Sequence, residues 1–340
     1  MIVLLSKYQK QAGVALITVM LIVALCAVIA SQMTARMQMQ VQRSANVTFN
    51  QQAYWYAMGA EAFAKRVLIT AFNKKSDVTH LDQVWAQGKT TYPVDFGDIS
   101  GEITDLQSCL NLNALRAQLT TPGSSPPTAN NNKVPARLAF EVLLSSIELE
   151  EDISQFEIDS LADALTDWLD ENSYITGSGG AEDDDYASRE FPYLAANNFL
   201  ASVNELRVVT HFTPAIINGI KPYVCIIPAS DQHKININTL STEQPELLQA
   251  LLNSTLEEAE QILTARPDEG FETIEDFHNL NEVTQLNLTD KIKEQFVVDS
   301  EYFTLKASAS FNNSFFAMNS VMKVTNNKEI DVISRTIGRN

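Results

Sequence analysis

The chain has 340 residues, of which 45% are hydrophobic and 19% charged, and its net charge is −18. A surface this acidic repels nucleic acid and anionic headgroups, which leaves a phosphate-binding role without an electrostatic basis. Catalysis is not expected either: His80, His211, His233 and His278 are scattered without metal-ligand spacing, and no nucleophile elbow, phosphate loop or dinucleotide fingerprint occurs.

The first element is a long helix. Lys7-Tyr-Gln-Lys-Gln-Ala-Gly13 precedes an apolar run from Val14 to Ala30 whose one polar residue is Thr18. With Ser31 to Thr34 added, this run is long enough to cross most of a hydrocarbon core of about 30 Å. Ala27, Ala30 and Ser31 offer a signal-peptidase-like alternative. Against it, no Pro occurs before Pro93, and small or apolar residues recur at three- and four-residue spacing, through Met33, Met37, Val41, Ala45, Phe49, Ala53, Ala60, Ala64 and Leu68. The pattern predicts one helix from Val14 to about Phe72, a membrane-rooted stem with a face for packing. Lys7 and Lys10 before the span are matched by Arg36 and Arg43 after it, so basic residues do not set its orientation.

Beyond the stem, Thr91 to Leu112 alternates around Gly97 and Gly101 and reads as strands, followed by a Pro-, Ser- and Asn-rich loop over Thr120 to Asn132. Helices are expected over Ala136–Ile147, Asp159–Glu171, Asn197–Val209, Thr213–Ile220, Glu243–Leu252, Leu256–Ala265 and Ile274–Leu280. Gln295 to Ser334 returns to β character, with turns at Asn312-Asn-Ser and Asn326-Asn-Lys. The fold class is therefore α+β: a long N-terminal transmembrane and stem helix and an antiparallel sheet interrupted by a large helical insertion.

Gln52-Ala-Tyr-Trp-Tyr-Ala-Met-Gly-Ala-Glu-Ala-Phe63, Cys109-Leu-Asn-Leu-Asn-Ala-Leu115, Ala164-Leu-Thr-Asp-Trp-Leu-Asp170, Gly180-Ala-Glu-Asp-Asp-Asp-Tyr186 and Lys234-Ile-Asn-Ile-Asn-Thr-Leu240 resemble the general secretion protein K family, the minor pseudopilins of type II secretion systems. The leader resembles a class III signal, which implies cleavage by prepilin peptidase between Gly13 and Val14. That leaves a net charge of −20, because Lys7 and Lys10 are lost. The resemblance implies residues 1–13 as leader, 14–34 as the transmembrane part of the stem, 35–75 as its periplasmic part, 76–112 and 295–340 as the pseudopilin β region, and 113–294 as the inserted helical domain. It further implies a single-pass protein of the inner membrane with its C-terminal domain in the periplasm. Its partners would be minor pseudopilins I and J and other pseudopilus subunits. Pilins and most pseudopilins carry Glu at the fifth mature position, which is Thr18 here. An unpaired carboxylate in hydrocarbon is costly, so its absence suits a subunit docked beneath no other, at the pseudopilus tip.

Cys26 reads as a packing residue, whereas Cys109 and Cys225 would face an oxidising compartment. Each stands just before an N-x-N box, Asn111-Leu-Asn113 or Asn236-Ile-Asn238, and a repeat of this kind would bring the two cysteines together as a disulfide; the alternative is two buried thiols. Sixteen carboxylates lie between Glu141 and Glu190 against the single Arg189. Asp167 and Asp170 at one helix end, with Glu182, Asp183, Asp184 and Asp185 after a Gly-rich loop, have the oxygen chemistry of a calcium site, and the family resemblance implies calcium in the same loop. Ile237-Asn-Thr-Leu240 to Phe277 resembles a helix-hairpin-helix unit. This leaves a second functional class open, a membrane-tethered receptor for DNA or another polymer. Its hairpin reads Asn253-Ser-Thr255 and is followed by Glu257, Glu258 and Glu260, which disfavours phosphate.

Overall fold

The computed structural model describes residues 12–74, 78–116, 133–325 and 329–338. Leader residues 1–11, the loop expected over Thr120–Asn132 and the Asn326-Asn-Lys turn lie outside the described residues.

Helix α1 runs unbroken over Ala12–Lys74. Its hydroxyls satisfy themselves: Thr18 donates to Ala15 O at 2.9 Å, and Thr34 donates to Ala30 O at 3.0 Å, so neither leaves an open polar group on an apolar surface. Beyond Phe49 the helix meets a sheet through its small residues. Ala53, Ala57, Ala60, Ala64, Leu68 and Ala71 are buried, because alanine at three- and four-residue spacing lets a helix axis come close to a sheet.

That sheet has the order β1-β2-β7-β8-β9, with every pairing antiparallel. Strands β1 (Thr90–Val94) and β2 (Gly97–Asp105) form a hairpin. The chain then leaves the sheet for the helical region. There β3 (Leu110–Asn111) is followed by α2 (Pro135–Ser146), α3 (Gln155–Leu169), the short α4 (Asp183–Ala187), α5 (Pro214–Ile220) and β4 (Val224–Cys225). Next come β5 (Ile235–Asn236), α6 (Pro245–Leu252), α7 (Leu256–Ala265), α8 (Ile274–His278), α9 (Asn281–Gln285), α10 (Asp290–Lys293) and β6 (Phe296–Val297). The chain re-enters the sheet as β7 (Tyr302–Phe311), β8 (Ser314–Val324) and β9 (Ile330–Ile337). Asp105, where β2 ends, stands opposite Phe303 of β7, so the whole helical region leaves and returns between two neighbouring strands. The α+β class read from the sequence is correct.

Local differences have local causes. Helix α3 begins at Gln155 rather than Asp159, because Ser154 accepts from Glu157 N while the Glu157 carboxylate accepts from Ser154 N, a capping box. The helix expected over Asn197–Val209 shrinks to a 3₁₀ turn at Val203–Val208. Asn197 adopts a positive φ of 45°, and Ser202 caps the turn through Asn204 N.

The helical region is organised by its two N-x-N boxes, which fold alike. Asn111 closes on Asn113 N at 3.2 Å, and Asn236 closes on Asn238 N at 2.9 Å. The second asparagine of each then holds one residue by both backbone groups. Asn113 accepts from Leu200 N and donates to Leu200 O, and Asn238 accepts from Phe271 N and donates to Phe271 O. Each box also opens a two-residue parallel pairing, β3 with β4 and β5 with β6. One apolar core, including Phe140, Leu143, Leu165, Ile220, Leu248, Ile262 and Phe277, fills both parts.

Candidate functional site

Helix α1 is long and apolar enough in its N-terminal part to cross a membrane, and from Val14 to Val47 its large apolar side chains are exposed. It passes through Gly13 and Val14 without a break. Where it meets the sheet it carries Glu61, the one acidic residue between Gly13 and Lys74. Glu61 is buried, and Arg335 of β9 grips its two oxygens at 2.7 and 2.8 Å while Ser320 donates at 2.7 Å. The Arg335 hydrogen bond holds this carboxyl below its ordinary pKa, against the effect of burial. An acid alone on a small-residue face was the available signal for this latch, and the sequence reading did not use it.

The acidic end of α3 is built by glycine. Gly177 (φ +60°), Gly179 and Gly180 lie flat on α3: an added Cβ would sit 2.1 Å from Asp163, 2.3 Å from Ser160 and 2.2 Å from Asp167, respectively. This close approach brings backbone donors to the carboxylates. Asp167 accepts from Thr176 N at 3.0 Å, Asp163 from Gly179 N at 3.2 Å and from Arg137 at 2.5 Å, and Asp170 from Asn172 N at 3.1 Å. After the loop, Asp183 accepts from Ala195 N at 3.0 Å, and Asp185 caps α4 by accepting from Glu182 N at 3.1 Å. Asp184 is exposed.

These partners overturn the calcium expectation. Among the described residues no group of three or more Asp, Glu, His or Cys side chains could hold a metal ion. The physical reason is that most of these carboxylates are already engaged, Asp163, Asp167, Asp170 and Asp183 by backbone amides and Asp163 also by Arg137. Glu182 stands apart, buried with neither oxygen in a hydrogen bond and facing Asp167 and Asp170. Burial, then the charges of Asp167 and Asp170, push it up to about 7, and burial pushes Asp167 to about 6. Tyr186 is fully buried, meeting Trp168 edge to face at 5.1 Å and Tyr193 at a tilt at 5.3 Å, with Arg189 lying 4.8 Å over its ring.

Cys109 and Cys225 form a disulfide, with Cα atoms 5.8 Å apart, beside the pairing of β3 with β4. Cys26 is free and exposed on α1.

A second buried constellation was missed by the sequence reading. Asp105, at the end of β2, accepts from Ser300 Oγ at 2.5 Å, Thr239 Oγ1 at 2.6 Å and Gln107 N at 2.7 Å. Asn236 donates to Ser300 Oγ at 2.7 Å and to Thr79 O at 3.0 Å. Burial pushes Asp105 up to about 6, and these donors oppose the shift. The cluster joins the stem's exit, the sheet and the second N-x-N box. Asp105 is satisfied within this network, which gives the network a positioning character.

Residues 108–229 and 235–299 match two family descriptions, both reading "Type II secretion system (T2SS), protein K", and together they span more than half of the chain. The type II secretion system protein K of Aeromonas hydrophila is 39% identical over 265 residues, covering 77% of this chain and 78% of that protein. The protein of the same name from Klebsiella pneumoniae is 33% identical, covering 97% of each. Among solved structures, a chain of the GspK-GspI-GspJ complex from the enterotoxigenic Escherichia coli type 2 secretion system superposes with a TM-score of 0.74 at 29% identity. That superposition covers 89% of this chain and 100% of the other.

Proposed function

We propose a role from one premise: this chain belongs to the protein K family of type II secretion systems, and it is a minor pseudopilin. In this reading it is a structural subunit with no catalytic task, standing at the tip of a periplasmic pseudopilus that supports export of folded proteins across the outer membrane. The observation that carries the reading is architectural. The helical region projects as one large body from between β2 and β7, while the stem and the rest of the sheet keep the form of a packing subunit. Such bulk suits the end of a helical filament, where nothing stacks above it.

The further parts of the reading follow from the stem. Prepilin peptidase would cut between Gly13 and Val14, the apolar part of α1 would anchor in the inner membrane, and the remainder would lie in the periplasm, where the Cys109–Cys225 disulfide persists. Partners would be the minor pseudopilins I and J, the subunits named with the protein K chain of the solved complex. The experiment is co-expression of the full chain with I and J of its own secretion system, followed by purification in detergent and mass spectrometry. A ternary complex whose K subunit begins at Val14 is expected. Isolation of K alone, or an intact Met1, overturns the corresponding part.

A further inference from the structure

The two halves of the helical region follow one plan, and one of them carries an addition. Each N-x-N box is followed by two helices, then by the residue that the second asparagine grips, then by a capped turn. These are α2, α3, Leu200 and Ser202 in the first half, and α6, α7, Phe271 and Thr273 in the second. The second half passes from α7 to Phe271 through five residues, 266–270. The first half takes thirty, 170–199, over the same step. Because the second half closes with the short form, closing the fold does not set the length of the long one.

The long connection presents apolar side chains to solvent. Tyr174 is 82% and Phe191 78% exposed, Ile175 and Leu194 are exposed with them, and the short connection has no large apolar side chain to show. The backbone that carries them is held in place. Thr176 N donates to Asp167, Ala195 N to Asp183 and the Tyr193 hydroxyl to Val208 O at 2.7 Å, and His211 Nε2 is hydrogen-bonded with Gly179 O at 3.0 Å. Glu182 faces Asp167 and Asp170, so both apolar pairs stand about the C-terminal end of α3. Asp184 and Glu190 are exposed among them, while Arg189, the one basic residue of the connection, is folded over the Tyr186 ring. The wider setting is acidic too. Residues 108–299 hold 32 carboxylates against 10 lysines and arginines, a charge of −22, whereas the rest of the chain sums to +4.

We propose that residues 174–194 form a docking surface for a segment of another protein in which lysine or arginine is interspersed with apolar residues, and which arrives from the side away from the apolar end of α1. Exposed aromatic and aliphatic side chains require an apolar counterpart, and the carboxylates around them require a cationic one. The same charge excludes other occupants. A second copy, nucleic acid and an anionic bilayer would each bring further negative charge to the surface. Position excludes a bilayer as well. Phe96, at the β1–β2 turn, packs on Phe311, which packs on Phe49 of α1, whereas the helical region leaves from Asp105 at the opposite end of β2. The fixed backbone adds to the fit, because side chains already held outward lose little freedom when a partner covers them.

The test places the photo-crosslinking amino acid benzoylphenylalanine at Phe191 of the full-length chain, held in phosphatidylcholine nanodiscs. The probe is a short biotinylated peptide that alternates lysine and leucine. Its cross-linking at Phe191 should exceed by about tenfold that at Leu256, which is also exposed and stands beside Glu257 on α7 of the second half. Glutamate in place of the peptide's lysines, or glycine in place of its leucines, should lower the yield about tenfold, and Asp184→Asn with Glu190→Gln about threefold. Leu194 takes the same photo-crosslinker if the variant at Phe191 does not fold. Equal yields at Phe191 and Leu256 reduce the effect to general attraction by an acidic surface and overturn the proposal, as does a yield indifferent to the sign of the peptide. Cross-links from Phe191 to a second copy, or to I or J when these are co-expressed, overturn it by giving the surface another occupant.

Discussion

The two N-x-N boxes are the same local device placed in different surroundings. In the first, Asn111 and Asn113 bond to Leu200, Ile227, Ser230 and Gln232, all within the helical region, and the nearby Cys109–Cys225 bridge closes the same unit covalently. In the second, Asn238 repeats the grip on Phe271, but Asn236 reaches outward to Thr79 and Ser300, next to Asp105 of the sheet. One copy closes a module, and the other fastens a module to the rest of the molecule. A short motif therefore settles how the backbone turns, and the flanking residues settle what the turn connects.

The hardest test of this equivalence is truncation of the gripping residues. Asn113→Ala and Asn238→Ala each strip buried backbone groups of their partners, at roughly 1–3 kcal/mol per group, so each should cost on the order of 3–6 kcal/mol. Denaturant unfolding should show the two losses within about 2 kcal/mol of each other if the boxes are equivalent. A wider gap breaks the comparison.

Removal of the disulfide should separate the boxes. Cys109→Ser with Cys225→Ser is expected to cost about 2–4 kcal/mol, an effect reproduced by reduction of the wild type. Combined with Asn238→Ala it should add within about 0.5 kcal/mol, whereas combined with Asn113→Ala it should depart from additivity, because only the first box shares its surroundings with the bridge.

The joint should respond to pH. The folded-state pKa of Asp105, about 6, lies above its ordinary value of 3.8, so the folded state binds the proton more tightly. The resulting stability is present below about pH 4 and is lost as pH rises through 6. Asp105→Asn should flatten that part of the stability profile, by about 2 kcal/mol between pH 4 and 7. A slope unchanged in Asp105→Asn refutes the assignment.

The smallest effect lies at the helix caps. Ser154 caps α3 in the first part and Thr255 caps α7 in the second, each in a full capping box. Ser154→Ala and Thr255→Ala should each cost about 1 kcal/mol by thermal unfolding, alike in both parts. A cost near zero at one of them would show that its helix end is held by packing instead.

Several features were legible before folding because they rest on local physics. The stem needed only an unbroken apolar period without proline, and α7 was bounded correctly at Leu256–Ala265 because Thr255 and Glu258 form its cap in sequence. The disulfide was anticipated from the two repeated boxes. The calcium expectation failed for a reason that spacing does not carry: a run of carboxylates says nothing about which amides will face them, and Gly177, Gly179 and Gly180 bring Thr176 N and Gly179 N onto Asp167 and Asp163 only once the loop lies on α3.

By itself the amino-acid sequence determined the long apolar N-terminal helix, the α+β succession and the family, and it pointed to the paired cysteines, since each is encoded in residues close together or in motifs repeated intact. Tertiary structure alone decided that Glu61 meets Arg335, 274 residues away, that Asp105 meets Ser300, 195 residues away, and that α1 leaves the β1–β2 side of the sheet open. Contacts of that separation depend on how whole elements pack. A polar side chain finds its partner there because burial without one is costly, and no local periodicity records which partner that will be.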